Sequence, residues 1–461
     1  MTVETPVLVG ATITRGPRPW QVLQREADGT APLALAGRWA GADGSVVEVR
    51  AAREYDHAAA AGCDWQPAEM LPGNAWRATL RVPTGGLYKA ETRLRAPGVE
   101  WRSTGDKIWH LAVGDLWVIA GQSNAVGYGH GAVVDPPMLG VSVFGGDEVW
   151  RLATHPIFDP TETRHPANRD GGWVDVSPWL AFGTGIFTGA GVPVGLIPAA
   201  LGGSPLSAWD PGNPEGAYLY ENMLSLIDAA GGRVAGMAWY QGESDANAEL
   251  AATYLARFTR FVAAFRARCG AGLPVLTAQL NRYFDSADPA QGRAWSAIRE
   301  AQRRAARAIP GVAAVPTLDL GLSDAIHTSA VGNVVLGERF ARVALGMVYG
   351  QALNWRPADA RDARFLDDGR AEVAITFDHV RDHLVLLTLF AEEFTVEDAV
   401  GAVPVAKAWV EEPNVVRLTL GRAAGAGAVC HLSAGCNPPS TLRDALQRPA
   451  LAYYGLEILA S

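Results

Sequence analysis

Between residues 110 and 352 short apolar runs alternate with helical patterns, and this alternation constrains the fold more than any other feature of the chain. The runs are 116–120, 192–198, 234–240, 273–278 and 312–318. Between the third and the fourth, Leu250, Tyr254, Leu255, Phe258, Phe261, Val262 and Phe265 recur at three- and four-residue spacing, which makes a helix with one apolar face. Between the fourth and the fifth, Trp295, Ile298 and Ala301 mark another helix. Its arginines, Arg293, Arg299, Arg303, Arg304 and Arg307, read as a solvated outer face. Strands joined by crossing helices imply right-handed crossovers and a parallel sheet covered on both faces. The expectation is an α/β domain over 109–352 with a five-stranded parallel sheet.

The texture differs on either side. Residues 33–35, 45–50, 76–82 and 88–94 alternate apolar and polar at period two, with Asp28-Gly29 and Asp43-Gly44 among the turns between such runs. The same period returns in 371–377, 383–389, 415–420 and 428–432. Two β-rich, sandwich-like modules are therefore expected, at 1–108 and 353–461, in keeping with a chain long enough for about three domains. Segment 129–179 carries few periodic patterns and many Pro, Gly and Asp residues. It reads either as a loop that shapes a site or as an irregular surface excursion.

A net charge of −9 argues against nucleic acid or an anionic membrane as the main partner. No apolar run is long enough to span a bilayer. Residues 1–6 have neither a basic flank nor an apolar core, so a secretory leader is not expected there. The cytoplasm is the expected location as the sequence stands, and the periplasm or the exterior if a leader has been removed. Cys63, Cys269, Cys430 and Cys436 lack metal-ligand spacing and read as buried free thiols, although Cys430 and Cys436 are near enough in sequence to pair. His155, His165 and Asp170 match no familiar ligand spacing, and no phosphate loop or dinucleotide fingerprint is present. Neither a metal nor an organic cofactor is expected. Fifteen tryptophans is a high count; some belong in cores, and sugar-binding surfaces also use flat aromatic platforms.

Several central strands lead into residues that catalysis can use, and in a parallel sheet these carboxyl ends share one edge. The first run breaks into Gly121-Gln122-Ser123-Asn124, a turn that can hold a hydroxyl at the sheet edge. The second leads to Gly202-Gly203-Ser204, the third to Gln241-Gly242-Glu243-Ser244-Asp245, and the fifth to Asp324 and His327. On a helical turn, Asp324 and His327 share a face, so the carboxylate can fix the tautomer of the imidazole that takes a proton from Ser123. Alternatively, Asp324 caps the next helix and His327 is a surface histidine. Gly202-Gly203 lets a carbonyl approach the backbone N–H groups, or is simply a tight turn. Gln241 offers an amide donor, or an amide that fixes a loop. Glu243 and Asp245 invite an acid/base pair of the glycosidase kind, but that would leave Ser123, Asp324 and His327 idle. Support of the turn, or a hydrogen bond to a sugar hydroxyl, suits Glu243 better.

Together the four blocks 121–124, 202–204, 241–245 and 324–327 resemble those of the SGNH hydrolases, and more narrowly the sialate O-acetylesterase and carbohydrate acetylesterase branch. The resemblance covers about 110–345 and is softer over the flanks. It implies a flavodoxin-like catalytic domain, Ser123 as nucleophile, His327 as base and Asp324 as orienting acid. It also implies an oxyanion hole from the N–H groups of Ser123 and Gly203 and the side chain of Gln241. Gln122, Asn124 and Glu243 are the candidate substrate contacts. Two positions depart from the family pattern: Ala125 stands where methionine is usual, and Thr328 where proline is usual. The expected activity is a serine esterase that removes acetyl groups from a sugar or glycan through an acetyl-enzyme. An acetyltransferase would use the same residues. A carbohydrate-binding protein with an inert centre would leave the Ser/Asp/His set without a purpose, and no apolar lid pattern favours a lipase.

Overall fold

The computed structural model describes residues 9–161, 163–387 and 391–460. Residues 1–6 and the end of the run 383–389 lie outside the described residues.

The middle of the chain is built on a strand much longer than its apolar run, β1 (Ser103–Gly121). The first half of β1 is largely exposed and the second half fully buried, so one strand serves two environments. The first half pairs antiparallel with the strand Gly85–Arg95. The second half enters a sheet with β2 (Val141–Phe144), β3 (Trp150–Leu152), β4 (Val194–Pro198), β5 (Gly236–Tyr240), β6 (Val275–Ala278) and β7 (Val312–Val315). β1 therefore runs across residue 108, where the change of texture sets the domain limit. N-terminal and central strands form one 11-stranded sheet.

The central order is β3-β2-β4-β1-β5-β6-β7. Every pair from β2 to β7 is parallel, and β3 is antiparallel to β2. This corrects the expected five parallel strands to six. The additional one, β2, lies inside segment 129–179. Four residues between Gly140 and Gly145 are too few to show a period, and β2 exists because the edge of β4 accepts it. β4 and β5 are buried at every position, as a sheet covered on both faces requires.

The helices are α1 (Ser123–Val126), α2 (Trp179–Ala190), α3 (Tyr218–Ala230), α4 (Ala248–Cys269), α5 (Pro289–Ala308) and α6 (Ala330–Met347). In α4, Tyr254, Phe258, Phe261, Val262 and Phe265 are buried, and the Asn247 side chain caps the first turn by accepting from the Leu250 N–H. The arginine face of α5 needs correction. Arg293, Arg304 and Arg307 are exposed, but Arg299 and Arg303 are buried. Arg303 Nε donates to Asp359 Oδ1 at 2.5 Å and Arg307 Nε to Asp359 Oδ2 at 2.6 Å. A face that looks solvated in isolation is where the C-terminal module docks.

That module is an eight-stranded sheet wrapped around its own core of Phe365, Val373, Ile375, Phe377, Leu418 and Tyr453. The N-terminal module packs a four-stranded sheet, with Leu33, Leu35, Trp76 and Leu80, against Val47, Val49 and Leu111 of the long sheet. Cys63, Cys430 and Cys436 are buried free thiols, whereas Cys269, at the end of α4, is free but only half-buried. Among the described residues, no helix is long and apolar enough to cross a membrane.

Candidate active site

β1 ends at Gly121, whose φ is 132°. A Cβ at this position would stand 2.1 Å from the Tyr240 carbonyl oxygen, so only glycine lets the end of β1 lie this close to β5. The Gln122 N–H donates to that same oxygen at 2.9 Å. Ser123 then opens α1, which Trp179 anchors by donating from Nε1 to the Ala125 carbonyl at 2.6 Å. The first N–H of a helix has no intrahelical acceptor. That of Ser123 has no partner among the described residues.

The hydroxyl of Ser123 lies 2.9 Å from His327 Nε2, and His327 Nδ1 lies 2.6 Å from Asp324 Oδ2. A carboxylate only accepts, so Nδ1 carries the proton and Nε2 is left free to receive one. Asp324 and His327 do not sit on a helical turn. Asp324 Oδ1 accepts from the N–H groups of Ile326 at 2.8 Å and His327 at 2.7 Å, so the carboxylate builds a tight turn around itself and aims the ring. Nor does Asp324 cap α6, because Ser329 does. Burial works against the Asp324 charge, but the His327 hydrogen bond and the two backbone N–H groups outweigh it and hold the carboxyl below its ordinary range.

Asn124 sets the distance between the two halves of this arrangement. Its Oδ1 accepts from the Thr328 N–H at 2.9 Å, and its Nδ2 donates to Glu243 Oε1 at 2.7 Å and to the Ile326 carbonyl at 3.3 Å. Gln122 Oε1 accepts from the Gly242 and Ser244 N–H groups at 3.4 and 3.2 Å. Gln122, Asn124 and Glu243, the expected substrate contacts, are tied to one another's loops. A second correction concerns Gln241. Its Nε2 donates to the Ser204 carbonyl at 3.2 Å and to Asp245 Oδ2 at 2.6 Å, while Tyr254 donates to its Oε1 at 3.0 Å. Both amide hydrogens are committed in a fully buried network, so none remains for an oxyanion. Gly203 differs: its φ is 68°, a Cβ would meet open space, and its N–H has no partner among the described residues.

One supporting residue was weighed in the sequence only as a metal ligand. Asp170 is buried and accepts from the Gly202 N–H at 2.7 Å, the Gly172 N–H at 2.7 Å and the Tyr128 hydroxyl. It therefore steadies the turn that presents Gly203. Gly172 is two residues away, but Gly202 and Tyr128 lie 32 and 42 residues away, so no local pattern marks the contacts that steady this turn. His155 and His165 lie elsewhere, against Asp135 and Glu148.

Burial drives the Glu243 carboxyl up to about 7, against the opposing hydrogen bond from Asn124, and its Oε2 is enclosed with no partner among the described residues. An unfolded glutamate titrates near about 4.3. Between those values the folded chain holds a proton that the unfolded chain has released, so stability falls as pH rises across this window and levels off above it. Glu243→Gln keeps the neutral form. Melting curves from pH 5 to pH 8 should therefore show a wild-type decline that the variant lacks. Parallel curves would rule out a raised Glu243.

The family model of carbohydrate esterases described as sialic acid-specific acetylesterases matches residues 113–346. A probable carbohydrate esterase of Arabidopsis thaliana is 28% identical over 152 residues, covering 28% of this chain and 54% of that protein. The chain thus spans about half the length of that curated relative. A solved structure described as a novel carbohydrate acetylesterase from Xanthomonas citri is 21% identical, with a TM-score of 0.65, covering 95% of this chain and 99% of that one. At that identity the likeness is one of fold, and it extends through both β modules.

Proposed function

The chain belongs to the sialic acid-specific acetylesterase family of carbohydrate esterases, and from that premise we propose that it removes O-acetyl groups from sugar hydroxyls with Ser123 as nucleophile. The reading is carried by one observation, the 2.9 Å contact between Ser123 Oγ and His327 Nε2 with Asp324 behind the ring. The hydroxyl attacks the acetyl carbonyl while Nε2 takes its proton. Asp324 stabilises the imidazolium that forms. The developing oxyanion is received by the N–H groups of Ser123 and Gly203, which have no partner among the described residues. His327 then gives its proton to the departing sugar oxygen, leaving an acetyl-enzyme. It takes a proton from water as that water attacks the ester, then returns it to the departing Ser123 Oγ, which frees acetate and restores Ser123. Five of the six parallel strands, in the order β4-β1-β5-β6-β7, support reading the middle of the chain as a flavodoxin-like domain.

A panel of O-acetylated sialic acids, xylans and pectic fragments, scored for released acetate, tests this. Release from at least one sugar, lost on blocking Ser123 with a fluorophosphonate, is the expected outcome. Hydrolysis of p-nitrophenyl acetate without release from any sugar would leave an esterase and remove the carbohydrate. An added acceptor sugar that captures the acetyl group would reveal a transferase.

A further inference from the structure

Trp173 is 81% exposed, and nothing in the fold requires an indole there. Its ring packs on that of His130, with centroids 5.3 Å apart and planes at 46°. His130 is held in turn, its Nδ1 lying 3.6 Å from Asp175 Oδ2 and its carbonyl accepting from the Ala330 N–H at the start of α6 at 3.4 Å. The short segment carrying Trp173 is pinned on both sides. Before it, Asp170 binds Tyr128, Gly172 and Gly202. After it, the Asp175 N–H donates to the Gly127 carbonyl at 2.8 Å, and Val176 and Gly129 exchange backbone bonds. An exposed aromatic on a tethered loop is already ordered, so it can receive a ligand without the entropy cost of fixing it first.

The location gives this platform its role. The Tyr128 ring lies 4.8 Å from that of His327. A Cβ on Gly172 would stand 1.7 Å from the Tyr128 hydroxyl, so Trp173 follows directly on the wall beside the imidazole. If His327 delivers the proton to the leaving oxygen, the alcohol must sit against this wall. Phe284, 57% exposed, also borders the loop through its N–H to the Ala325 carbonyl at 3.1 Å. No ring contact backs Phe284 among the described residues, whereas His130 backs Trp173. The exposed Tyr55, Trp101 and Trp109 all precede the buried half of β1.

We infer that Trp173, resting on His130, is the stacking floor for the pyranose ring of the leaving alcohol, taking the C–H face of an O-acetylated sugar. This subsite depends on the esterase reading above. It serves ground state and transition state alike, because the ring it holds does not change during acyl transfer.

Steady-state kinetics on the best O-acetylated sugar of the panel test it. Trp173→Ala should raise KM about tenfold with kcat within about twofold, and Trp173→Phe should fall between the parent and the alanine variant. Trp101→Ala, which removes another exposed indole from the N-terminal module, should change neither constant. A KM within about twofold of the parent in Trp173→Ala would overturn the subsite, as would a loss confined to kcat. Should the parent release no acetate from any sugar while cleaving p-nitrophenyl acetate, the carbohydrate reading itself has failed and the subsite goes with it. The first failure leaves the parent active on sugars and the second does not, so the two are told apart.

Discussion

Ser123→Ala is expected to lower kcat for acetate release by about 10⁴- to 10⁶-fold, the loss typical of removing the nucleophile from a serine–histidine pair. The variant keeps His327, Asp324 and both free N–H donors, so what remains is the rate these groups give to direct attack by water. Binding should survive, because the hydroxyl is one small group on a turn whose position is set by Gly121, Asn124 and Trp179. Calorimetric titration of a poorly hydrolysed acetyl sugar should therefore give an affinity close to the parent's. The melting temperature should also stay within about 2 °C, because no cavity or unpaired charge is created. A Ser123→Ala protein that still works within tenfold of the parent rate would place the nucleophile elsewhere and undo the mechanism.

Arg299→Met should destabilise the folded chain by about 3–5 kcal/mol and weaken catalysis with it. Arg299 is 1% exposed, and it donates from Nε to the Leu280 carbonyl at 2.8 Å. Its Nη1 donates to Gly435 at 2.5 Å, and its Nη2 to Asn281 at 2.9 Å and Cys436 at 3.2 Å. Burial drags the guanidinium down to about 9, because its hydrogen bonds go to carbonyl dipoles and not to a carboxylate. Methionine fills the space but leaves four carbonyls facing an apolar side chain. Two of these belong to the segment after β6, where Asn281 Nδ2 donates to Thr328 Oγ1 at 2.9 Å, next to His327. The other two belong to the C-terminal module, which also grips Gln279 through Ala452 at 2.9 Å in both directions. Chemical denaturation and kcat should therefore fall together. Arg299→Lys should recover only part of the loss, since one ammonium cannot reach carbonyls on two sides as a planar fork does. An Arg299→Met protein as stable and active as the parent would show that the C-terminal module is not a brace for the site.

Much of the central architecture was legible before folding was considered. The apolar stripe of α4, the alternation of the flanking strands and the break after residue 120 are written in neighbouring residues. So is the Asp324–His327 pair, whose turn closes within four positions. The side chains that support it were not legible. Gln241 has the right chemistry for an oxyanion donor, and only its contacts with Ser204, Asp245 and Tyr254 show that its hydrogens are taken. The contacts of Asp170 with Gly202 and Tyr128 had no local signature, and Arg299 and Arg303 looked like any helical face turned to water. β2 was too short to announce itself.

From the chain alone, then, came the periodicities, the turns and the kinds of reacting group, because each depends on spacing within a few residues. Which edge a short strand joins, which arginines lose their water and which amides keep a free hydrogen were decided only when segments far apart in the sequence met. Burial and hydrogen-bond saturation belong to the whole packed molecule, and no window of sequence contains them.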